Sequence, residues 1–264
     1  MASILDKPGA AGVALAVLDC GLTAEQAVWC RHRGARVVGV AAGPIHASLI
    51  ERTRLPQLLP GHDIYVWLDS DTWLQSWRPV ELLVEGASLG PVAAVPEIHR
   101  SYRNYRDGWD EFRAVNGAAF RKAFGRDTGD RLMRRPLINA GAFAMRAASP
   151  LWAAWQRSLD LALASSSDMV DQVALNHAIY EGGFEDVRLP ATCNWIVHHA
   201  TPAWDETTGL LVEPALPFEP MGLVHLTLGT KWEGERPVAT ARRRGEQRSM
   251  SLRYPGLRLP ALRT

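Results

Sequence analysis

HDIYVWLDSDTWLQ, residues 62–75, is the stretch that decides the fold. Within it, Ile64–Leu68 is a short run of β-branched, aliphatic and aromatic residues, typical of a strand buried on both faces. A Pro-Gly pair precedes this run, and the triplet Asp69-Ser70-Asp71 ends it. Because open α/β sheets bind ligands beyond the carboxyl ends of their strands, the pattern predicts a ligand site at the two aspartates.

Two carboxylates one residue apart repel each other and resist ionisation unless a cation lies between them. A hard divalent cation such as Mg²⁺ or Mn²⁺ takes oxygen ligands and usually also binds substrate phosphates. Asp69, Ser70 and Asp71 therefore form a candidate site for a metal and a diphosphate. Asp and Ser are also ordinary turn formers, and a polar β-turn after a buried strand is the alternative that these residues alone leave open.

Length and composition indicate an ordinary globular protein. A chain of 264 residues, 47% hydrophobic and 22% charged, can bury one large α/β core or at most two small ones. A formal net charge of +1 gives no signal for a nucleic-acid partner. The three cysteines, Cys20, Cys30 and Cys193, lack the spacing of a metal site and suggest a reducing compartment. Since no segment resembles a membrane span or a signal peptide, we expect a cytoplasmic protein.

Strand-like and helix-like segments alternate along the chain. Thr23 and Gln26 have capping-box spacing at the start of one helix, and Asp168 is a predicted N-cap for another. This alternation predicts an α/β fold with a mostly parallel central sheet and helices on both faces. The predicted strands are at 13–18, 36–41, 64–68, 91–95, 137–145, 185–189 and 222–227, and the predicted helices are at 23–34, 47–59, 79–87, 109–124, 151–164 and 170–180.

The composition changes between residues 97 and 135. SYRNYRDGWDEF, residues 101–112, is rich in Arg, Tyr and Trp, and residues 109–124 have the pattern of one or two amphipathic helices. A solvated helix pair over the sheet accounts for most of this region. Its aromatic and basic side chains would also suit a cover over a polar ligand, and residues 102–112 are a candidate contact for an acceptor.

The last segment, residues 235–264, is rich in arginine and proline and includes Arg242, Arg243 and Arg244. We expect a disordered, solvated tail here, after a single domain at residues 1–234. The alternative is a weak electrostatic hold on anionic lipid, which would give a peripheral membrane contact.

Four segments that follow one another in a fixed order carry a family resemblance: LDSDTWL (68–74), INAGAFAM (138–145), DMVDQVALN (168–176) and VHLTLGTKW (224–232). Together they resemble the nucleotide-sugar glycosyltransferases of family 8, the group that includes glycogenin and the bacterial lipopolysaccharide galactosyltransferases. The resemblance covers residues 13–232. It implies a GT-A fold, a nucleotide diphosphate sugar as donor (most often UDP-linked), a Mn²⁺ or Mg²⁺ ion, and transfer with retention of the anomeric configuration.

The resemblance assigns a metal and diphosphate site. Asp69 and Asp71 would hold the cation, which neutralises the leaving nucleotide diphosphate, and His225 would be the third protein ligand. Lys231 would add a cationic contact to the diphosphate. The family usually has a glycine three residues after the histidine, whereas this chain has Leu228 there and its glycine one residue later. We therefore expect a loop of different shape before Lys231.

The resemblance also implies residues that contact the donor sugar. Asn139, Ala140 and Gly141 match the strand that passes beside the sugar, although Asn139 could equally satisfy a sheet edge. Asp171 and Gln172 match an Asp-Gln pair that lies near the reacting carbon. Acidic residues in the first turn of a helix are also favoured by its dipole, which is the structural alternative for Asp171. The Asn194-Trp195 pair is expected to pack beneath the site.

Retention can arise by double displacement, which needs a carboxylate nucleophile near the anomeric carbon, or by front-face attack within an ion pair. Asp171 is the candidate nucleophile for the first route, and we expect the second. The element at residues 19–23 matches the family's second strand-helix unit, so the resemblance implies that the first β-α unit, which carries the nucleotide-base contacts, is lacking. Translation from an upstream start, a different mode of base binding, and a degenerate, inactive domain are three explanations.

The expected partners are a nucleotide-sugar donor and a saccharide, lipid-linked or protein acceptor. Two other functions stay open. A non-catalytic GT-A-like binding domain would retain the fold without turnover. A phosphatase of the haloacid dehalogenase type would use Asp69 and Asp71, but such enzymes favour Gly-Thr directly after the second aspartate, whereas Thr72-Trp73 follows here.

Overall fold

The computed structural model describes residues 1–41, 46–165 and 169–256, so the predicted N-cap Asp168 lies outside the described residues. The strands are β1 (Ala16–Asp19), β2 (Arg36–Gly39), β3 (Ile64–Leu68), β4 (Thr72–Leu74), β5 (Ala93–Pro96), β6 (Ile138–Arg146), β7 (Val187–Arg188), β8 (Trp195–Ile196), β9 (Ala203–Asp205), β10 (Leu210–Val212), β11 (Leu223–His225), β12 (Glu235–Ala239) and β13 (Gln247–Ser251). The α-helices are α1 (Ala2–Leu5), α2 (Ala24–His32), α3 (Ala47–Glu51), α4 (Leu55–Leu58), α5 (Arg78–Leu89), α6 (Arg103–Arg106), α7 (Trp109–Phe124), α8 (Arg126–Leu132), α9 (Leu151–Leu163) and α10 (Val170–Glu181). Short 3₁₀ turns lie at Pro8–Gly12, Arg52–Arg54, Ala191–Cys193 and Leu228–Lys231.

The central sheet has the strand order β3-β6-β5-β7. Strands β3, β5 and β7 run in the same direction, as predicted, but β6 runs antiparallel to both of its neighbours. The reason lies in the connection. Ile138 at the start of β6 pairs with Pro96 at the end of β5. The chain therefore enters β6 at the same end of the sheet at which it left β5, and β6 runs in the opposite direction.

A break in register distorts β6 where the donor-sugar strand was predicted. Ala94 pairs with Phe143, whereas the next residue, Val95, pairs with Asn139. The residues between these two partners on β6 have no counterpart on β5 and form a bulge that includes Gly141. Glycine within a strand often marks such a bulge, and bulges are common beside active sites.

Helices cover both faces of the central sheet, which confirms the predicted α/β fold. On one face, aromatic side chains of the sheet pack against α9 and α10, and on the other face, smaller aliphatic side chains pack against α5. On the first face, Tyr65 and Phe143 of the sheet pack with Trp155 of α9 and Leu175 of α10, and on the second face, Ala93 and Ala144 of the sheet pack with Leu83 and Ala87 of α5. The alternation of these side chains along β3, β5 and β6 follows the two-residue period of a strand.

The predicted Thr23–Gln26 capping box is present. At α2, the Thr23 hydroxyl accepts a hydrogen bond from the Gln26 amide at 3.2 Å, and the Gln26 side chain accepts one from the Thr23 amide at 2.9 Å. Each bond satisfies an N–H that the first turn of the helix leaves without a partner.

Among the described residues, no helix combines the length and the apolar character needed to cross a bilayer.

A second, smaller sheet brings the C-terminal half of the chain to the end of β3. Its order is β4-β11-β8. Strand β4 begins directly after Asp71 and pairs antiparallel with β11, which places His225 opposite Thr72. This register carries the imidazole, more than 150 residues away in sequence, to the side of the two aspartates.

The expectation of a disordered tail is wrong for residues 235–256. Strands β12 and β13 form an antiparallel hairpin, and Val238 and Leu252 are buried in the same cluster as Trp195. The Trp73 indole N–H donates to the Leu252 carbonyl at 2.8 Å. Arg242, Arg243 and Arg244 are exposed in the turn between β12 and β13, so their charge gave no sign of the two strands that flank them. The domain boundary at residue 234 stays a prediction.

Two of these C-terminal arginines pair with carboxylates, two of which, Asp205 and Glu206, lie outside the hairpin. The Arg242 guanidinium lies 2.6 Å from the Asp205 carboxylate, and Arg243 lies 3.1 Å from both Glu206 and Glu246. These pairs reduce the charge that the hairpin offers to an anionic surface. Contact with anionic lipid stays a prediction.

Candidate active site

Asp69, Asp71 and His225 converge at the carboxyl end of β3. The His225 Nε2 atom lies 3.2 Å from the Asp71 carboxylate and 4.0 Å from that of Asp69. One donor atom from each residue lies within 4.8 Å of the other two. The structure thus brings together the three residues predicted to hold a metal ion.

A fixed hydrogen bond orients the His225 ring. Its Nδ1 atom donates to the Asn194 side-chain oxygen at 2.9 Å, which directs Nε2 towards the two carboxylates. Asn194 in turn donates from its side-chain nitrogen to the Asn139 oxygen at 2.8 Å. A partner of this kind on the distal nitrogen is what a metal-binding histidine requires, because it leaves the other nitrogen's lone pair facing the ion.

The charges around Asp71 favour its ionised form. Burial alone would raise the pKa of the Asp71 carboxyl, but the hydrogen bond and charge of His225, with the charge of Lys231, outweigh burial and lower that pKa. Lys231 lies at the end of the 3₁₀ turn after β11, with its ammonium 3.5 Å from the Asp71 carboxylate and partly exposed to solvent. Asp71 is therefore ready to bind a cation at neutral pH.

Arg52, which the sequence analysis missed, joins Asp69 to Asp171. Its guanidinium lies 3.1 Å from the Asp69 carboxylate and 2.9 Å from the Asp171 carboxylate, and it donates to the Ala140 carbonyl at 2.9 Å. The side chain is only 3% exposed and stacks over the Trp67 ring. No sequence signal marked this residue, because Glu51 and Arg54 stand beside it in the same predicted helical segment.

Asp171 lies at the start of α10 with its side chain buried. Burial raises the pKa of its carboxyl, an effect that the charge of Arg52 only partly offsets. The Trp155 indole donates to the Asp171 main-chain oxygen at 2.9 Å, which fixes the helix start against α9. Asp171 is thus held within the protein and is not presented freely to solvent.

Asn139 and Gln172 are joined by a buried carboxylate, Glu97, which the sequence analysis also missed. The Asn139 side-chain nitrogen donates to Glu97 at 2.8 Å, and the Gln172 side-chain nitrogen donates to the same oxygen at 3.0 Å. The Gln172 oxygen accepts from the Asn139 side chain and from the Ala140 amide, each at 3.1 Å. Glu97 follows β5 directly, where the composition gave no sign of a buried acid.

The other predicted site residues surround this centre. Ala140 is buried in the bulge of β6, and Ser70 lies exposed in the turn between β3 and β4. The Gly141 carbonyl accepts from the Asp69 amide at 2.8 Å. Leu228 has a φ of 51°, so this leucine adopts the left-handed conformation that glycine favours. The loop before Lys231 therefore accommodates a leucine at the cost of backbone strain.

The aromatic region at residues 102–112 has two parts. Tyr102 is fully buried, and its hydroxyl accepts from the Ile196 amide at 3.0 Å, so it belongs to the core and cannot touch an acceptor. Tyr105 and Trp109 are exposed and lie in edge contact, with ring centres 6.5 Å apart. An acceptor contact at these two rings stays a prediction.

The donor atoms fit the metal that the sequence suggested. Two carboxylates and one imidazole, with Nε2 directed towards the carboxylates, are a ligand set that suits Mn²⁺ or Mg²⁺ bound together with substrate oxygens. Arg52 and Lys231 offset part of the negative charge of the two aspartates. We therefore regard Asp69, Asp71 and His225 as a candidate metal centre.

The mixed α/β architecture is a GT-A fold, which the likeness to solved glycosyltransferase structures shows. Solved structures with this fold include the galactosyltransferase LgtC in complex with donor and acceptor sugar analogues. It is 14% identical to this chain, with a TM-score of 0.51 over 85% of this chain and 78% of LgtC. Mouse xyloside xylosyltransferase 1 is 14% identical over 82% of this chain and 85% of its own, with a TM-score of 0.48.

A third glycosyltransferase gives a more partial match. The bifunctional enzyme WbbM is 20% identical, with a TM-score of 0.43, and the match covers 63% of this chain but only 30% of WbbM. No family model matches this sequence, and no curated protein sequence matches it. The likeness to LgtC establishes the fold alone.

Proposed function

We propose that this protein is a metal-dependent glycosyltransferase that moves a sugar from a nucleotide diphosphate donor, in the first instance a UDP-sugar, to a saccharide, lipid-linked or protein acceptor with retention. One observation carries the proposal: Asp69, Asp71 and His225 converge at the end of β3 in a GT-A fold. The LgtC structure, which contains donor and acceptor sugar analogues, supports the same use of the fold.

Asp69, Asp71 and His225 would hold Mn²⁺ or Mg²⁺. When bound, the ion supplies positive charge that stabilises the leaving diphosphate. Lys231, 3.5 Å from Asp71, would turn its ammonium to the same diphosphate. Ser70, exposed between the two aspartates, would contact the donor from the turn.

Asn139, Ala140 and Gly141 would contact the donor sugar from the bulge of β6, and Gln172 would lie close to the anomeric carbon. For Asp171, a role as nucleophile needs an accessible, ionised carboxylate. Its burial and its ion pair with Arg52 instead favour front-face attack, in which the departing phosphate oxygen takes the acceptor's proton. Asp171 then positions Arg52 and the start of α10.

The experiment is a donor hydrolysis screen across UDP-, GDP- and CDP-sugars with Mn²⁺. We expect slow hydrolysis of at least one UDP-sugar, abolished by chelation of the metal and by Asp71→Ala. The matched control is Asp63→Ala, an exposed aspartate immediately before β3, at the opposite end of the strand. Turnover that survives Asp71→Ala would contradict the mechanism.

A non-catalytic binding domain is distinguished by isothermal titration of UDP with and without Mn²⁺. Metal-dependent binding without hydrolysis of any donor would identify such a domain, whereas no binding at any metal concentration would contradict both proposals.

A phosphatase function has less support, because the Asp69 carboxylate already accepts a hydrogen bond from the Trp67 indole at 2.7 Å and pairs with Arg52. Trapping by aluminium fluoride tests it directly.

A further inference from the structure

Glu97 is a buried carboxylate at the centre of a hydrogen-bond network beneath the candidate active site. One of its oxygens accepts from the Asn139 side chain at 2.8 Å and from the Gln172 side chain at 3.0 Å. The other oxygen contacts His199 Nε2 at 3.0 Å. Glu97 is 6% exposed, so no solvent competes for these contacts.

The donors and acceptors of this network allow only one orientation of the Asn139 and Gln172 side-chain amides. A carboxylate can only accept, so Glu97 fixes the nitrogen ends of Asn139 and Gln172 towards itself. Main-chain amides, which can only donate, meet the opposite ends: Gly141 donates to the Asn139 oxygen at 2.8 Å, and Ala140 donates to the Gln172 oxygen at 3.1 Å. Neither side-chain amide can rotate by 180° without leaving a buried donor facing a donor and a buried acceptor facing an acceptor.

The orientation of Asn139 fixes the hydrogen bonds that lead to His225. The Asn139 oxygen accepts from the Asn194 nitrogen at 2.8 Å, and the Asn194 oxygen then accepts from His225 Nδ1 at 2.9 Å. His225 Nε2 is left facing Asp71 at 3.2 Å. Each step in this chain depends on the orientation set by the step before it.

We propose that Glu97 is a positioning residue that orients Gln172 and, through Asn139 and Asn194, the candidate metal ligand His225. The metal part of this inference rests on the proposed function, whereas the orientation of the amides does not. Glu97 contacts neither the candidate metal ligands nor, on this proposal, the donor. It links the sugar side of the site to the metal side by hydrogen bonds alone.

The ionisation of Glu97 agrees with this role. Burial would raise the pKa of its carboxyl, but hydrogen bonds from His199, Asn139 and Gln172 outweigh burial and lower that pKa. Glu97 is therefore an obligate acceptor at neutral pH. A protonated carboxyl would instead donate to His199 from one oxygen and would accept from Asn139 and Gln172 only at the other.

The chain offers a matched control in Glu213. This glutamate is also 6% exposed and pairs with a histidine, with its carboxylate 2.9 Å from His99 Nε2 and 2.5 Å from the Arg100 guanidinium. Its side-chain contacts therefore resemble those of Glu97 but involve neither Asn139 nor Gln172. Replacing Glu213 tests the cost of losing a buried Glu-His pair without touching the network.

The experiment compares the full-length wild type with Glu97→Leu, Glu97→Gln and Glu213→Leu. Mn²⁺ affinity is measured from the electron paramagnetic resonance signal of the free ion, and the side-chain amide signals of Asn139 and Gln172 are followed by ¹H–¹⁵N NMR without metal. Glu97→Leu is expected to shift both amide signals and to weaken Mn²⁺ binding about 10- to 100-fold. Glu97→Gln, whose carbonyl can accept from both amides, is expected to recover most of the affinity, and Glu213→Leu to retain it.

Two results would overturn the proposal: unchanged amide signals in Glu97→Leu, or a loss of Mn²⁺ affinity in Glu213→Leu as large as that in Glu97→Leu. Failure of the proposed function is a separate result, seen when the wild type binds no Mn²⁺ and hydrolyses no donor. The NMR comparison then decides on its own whether Glu97 orients Asn139 and Gln172. Shifted amide signals would support that orientation even in an inactive domain.

Discussion

Gly141 and His225 are so close that a methyl group at position 141 would stand 2.3 Å from the His225 Cε1 atom. The same methyl group would lie 2.9 Å from the carboxylate of Asp69. The main chain of β6 therefore forms the wall against which the candidate metal ligands pack. Glycine is required at this position for space, since any side chain would displace the histidine or the aspartate.

Gly141→Ala is expected to lower the free energy of unfolding by about 1–3 kcal/mol, the usual cost of adding a carbon to a filled interior. It should also weaken Mn²⁺ binding, because the imidazole must move away from Asp71. Chemical denaturation and metal titration measure the two effects. Gly39→Ala in β2 is the control, since a methyl group there meets nothing within 4 Å. Equal metal affinity in both variants would contradict the predicted contact.

Arg52→Ala should be strongly destabilising, because it leaves the carboxylates of Asp69 and Asp171 without their shared cation. Removing one partner of a buried ion pair typically costs about 3–5 kcal/mol. Arg52→Lys keeps the charge but lacks the planar fork that reaches both acids, and an intermediate loss is expected. The loss of stability is measured by urea denaturation, with Arg54→Ala as the control for removing a surface charge. Arg54 is 45% exposed, and its ion pair with Glu51 contributes about 0–1 kcal/mol. A loss for Arg52→Ala no larger than that for Arg54→Ala would contradict the prediction.

Leu228→Gly is expected to stabilise the protein, although glycine is usually a destabilising replacement. The left-handed conformation costs a leucine about 1–2 kcal/mol, whereas the extra freedom of glycine in the unfolded chain costs about 0.5–1 kcal/mol. Leu228 is 62% exposed, so little packing is lost. The net gain should be visible by chemical denaturation, and Leu161→Gly, at an exposed position within α9, should show the opposite sign. Loss of stability in both variants would show that Leu228 is not strained.

Local signals in the sequence were sufficient for most of the secondary structure. Strand β3 and helix α7 have the predicted bounds, since proline, glycine and aspartate mark the ends of one and apolar periodicity marks the other. The fold class followed from the alternation of such elements. The direction of β6 did not, because an apolar strand has the same pattern in either direction and only the return of the chain beside Pro96 decides it.

The sequence predicted the candidate metal ligands better than the buried residues that hold them in place. Asp71 and His225 stood in recognisable segments, and the register of β4 with β11 brings them together. Arg52 and Glu97 belong to segments whose patterns are typical of an ordinary helix and an ordinary loop. Their importance comes from partners far away in sequence, such as Asp171 and Gln172, and no local pattern encodes those contacts.

The ionised form of Glu97 should contribute a pH-dependent part of the stability. Because hydrogen bonds from its partners hold the pKa of this carboxyl below its unfolded value, the folded state binds fewer protons than the unfolded state in that range. The stabilisation is complete above the unfolded pKa of about 4.3 and is lost as the pH falls through the folded pKa. Hydrogen bonds to a charged group contribute about 1.5–3 kcal/mol each, so Glu97→Gln should be clearly less stable than the wild type at pH 7. Thermal unfolding from pH 7 to pH 3 should show this difference narrowing at acid pH, and a constant difference would mean that the charge of Glu97 does not stabilise the network.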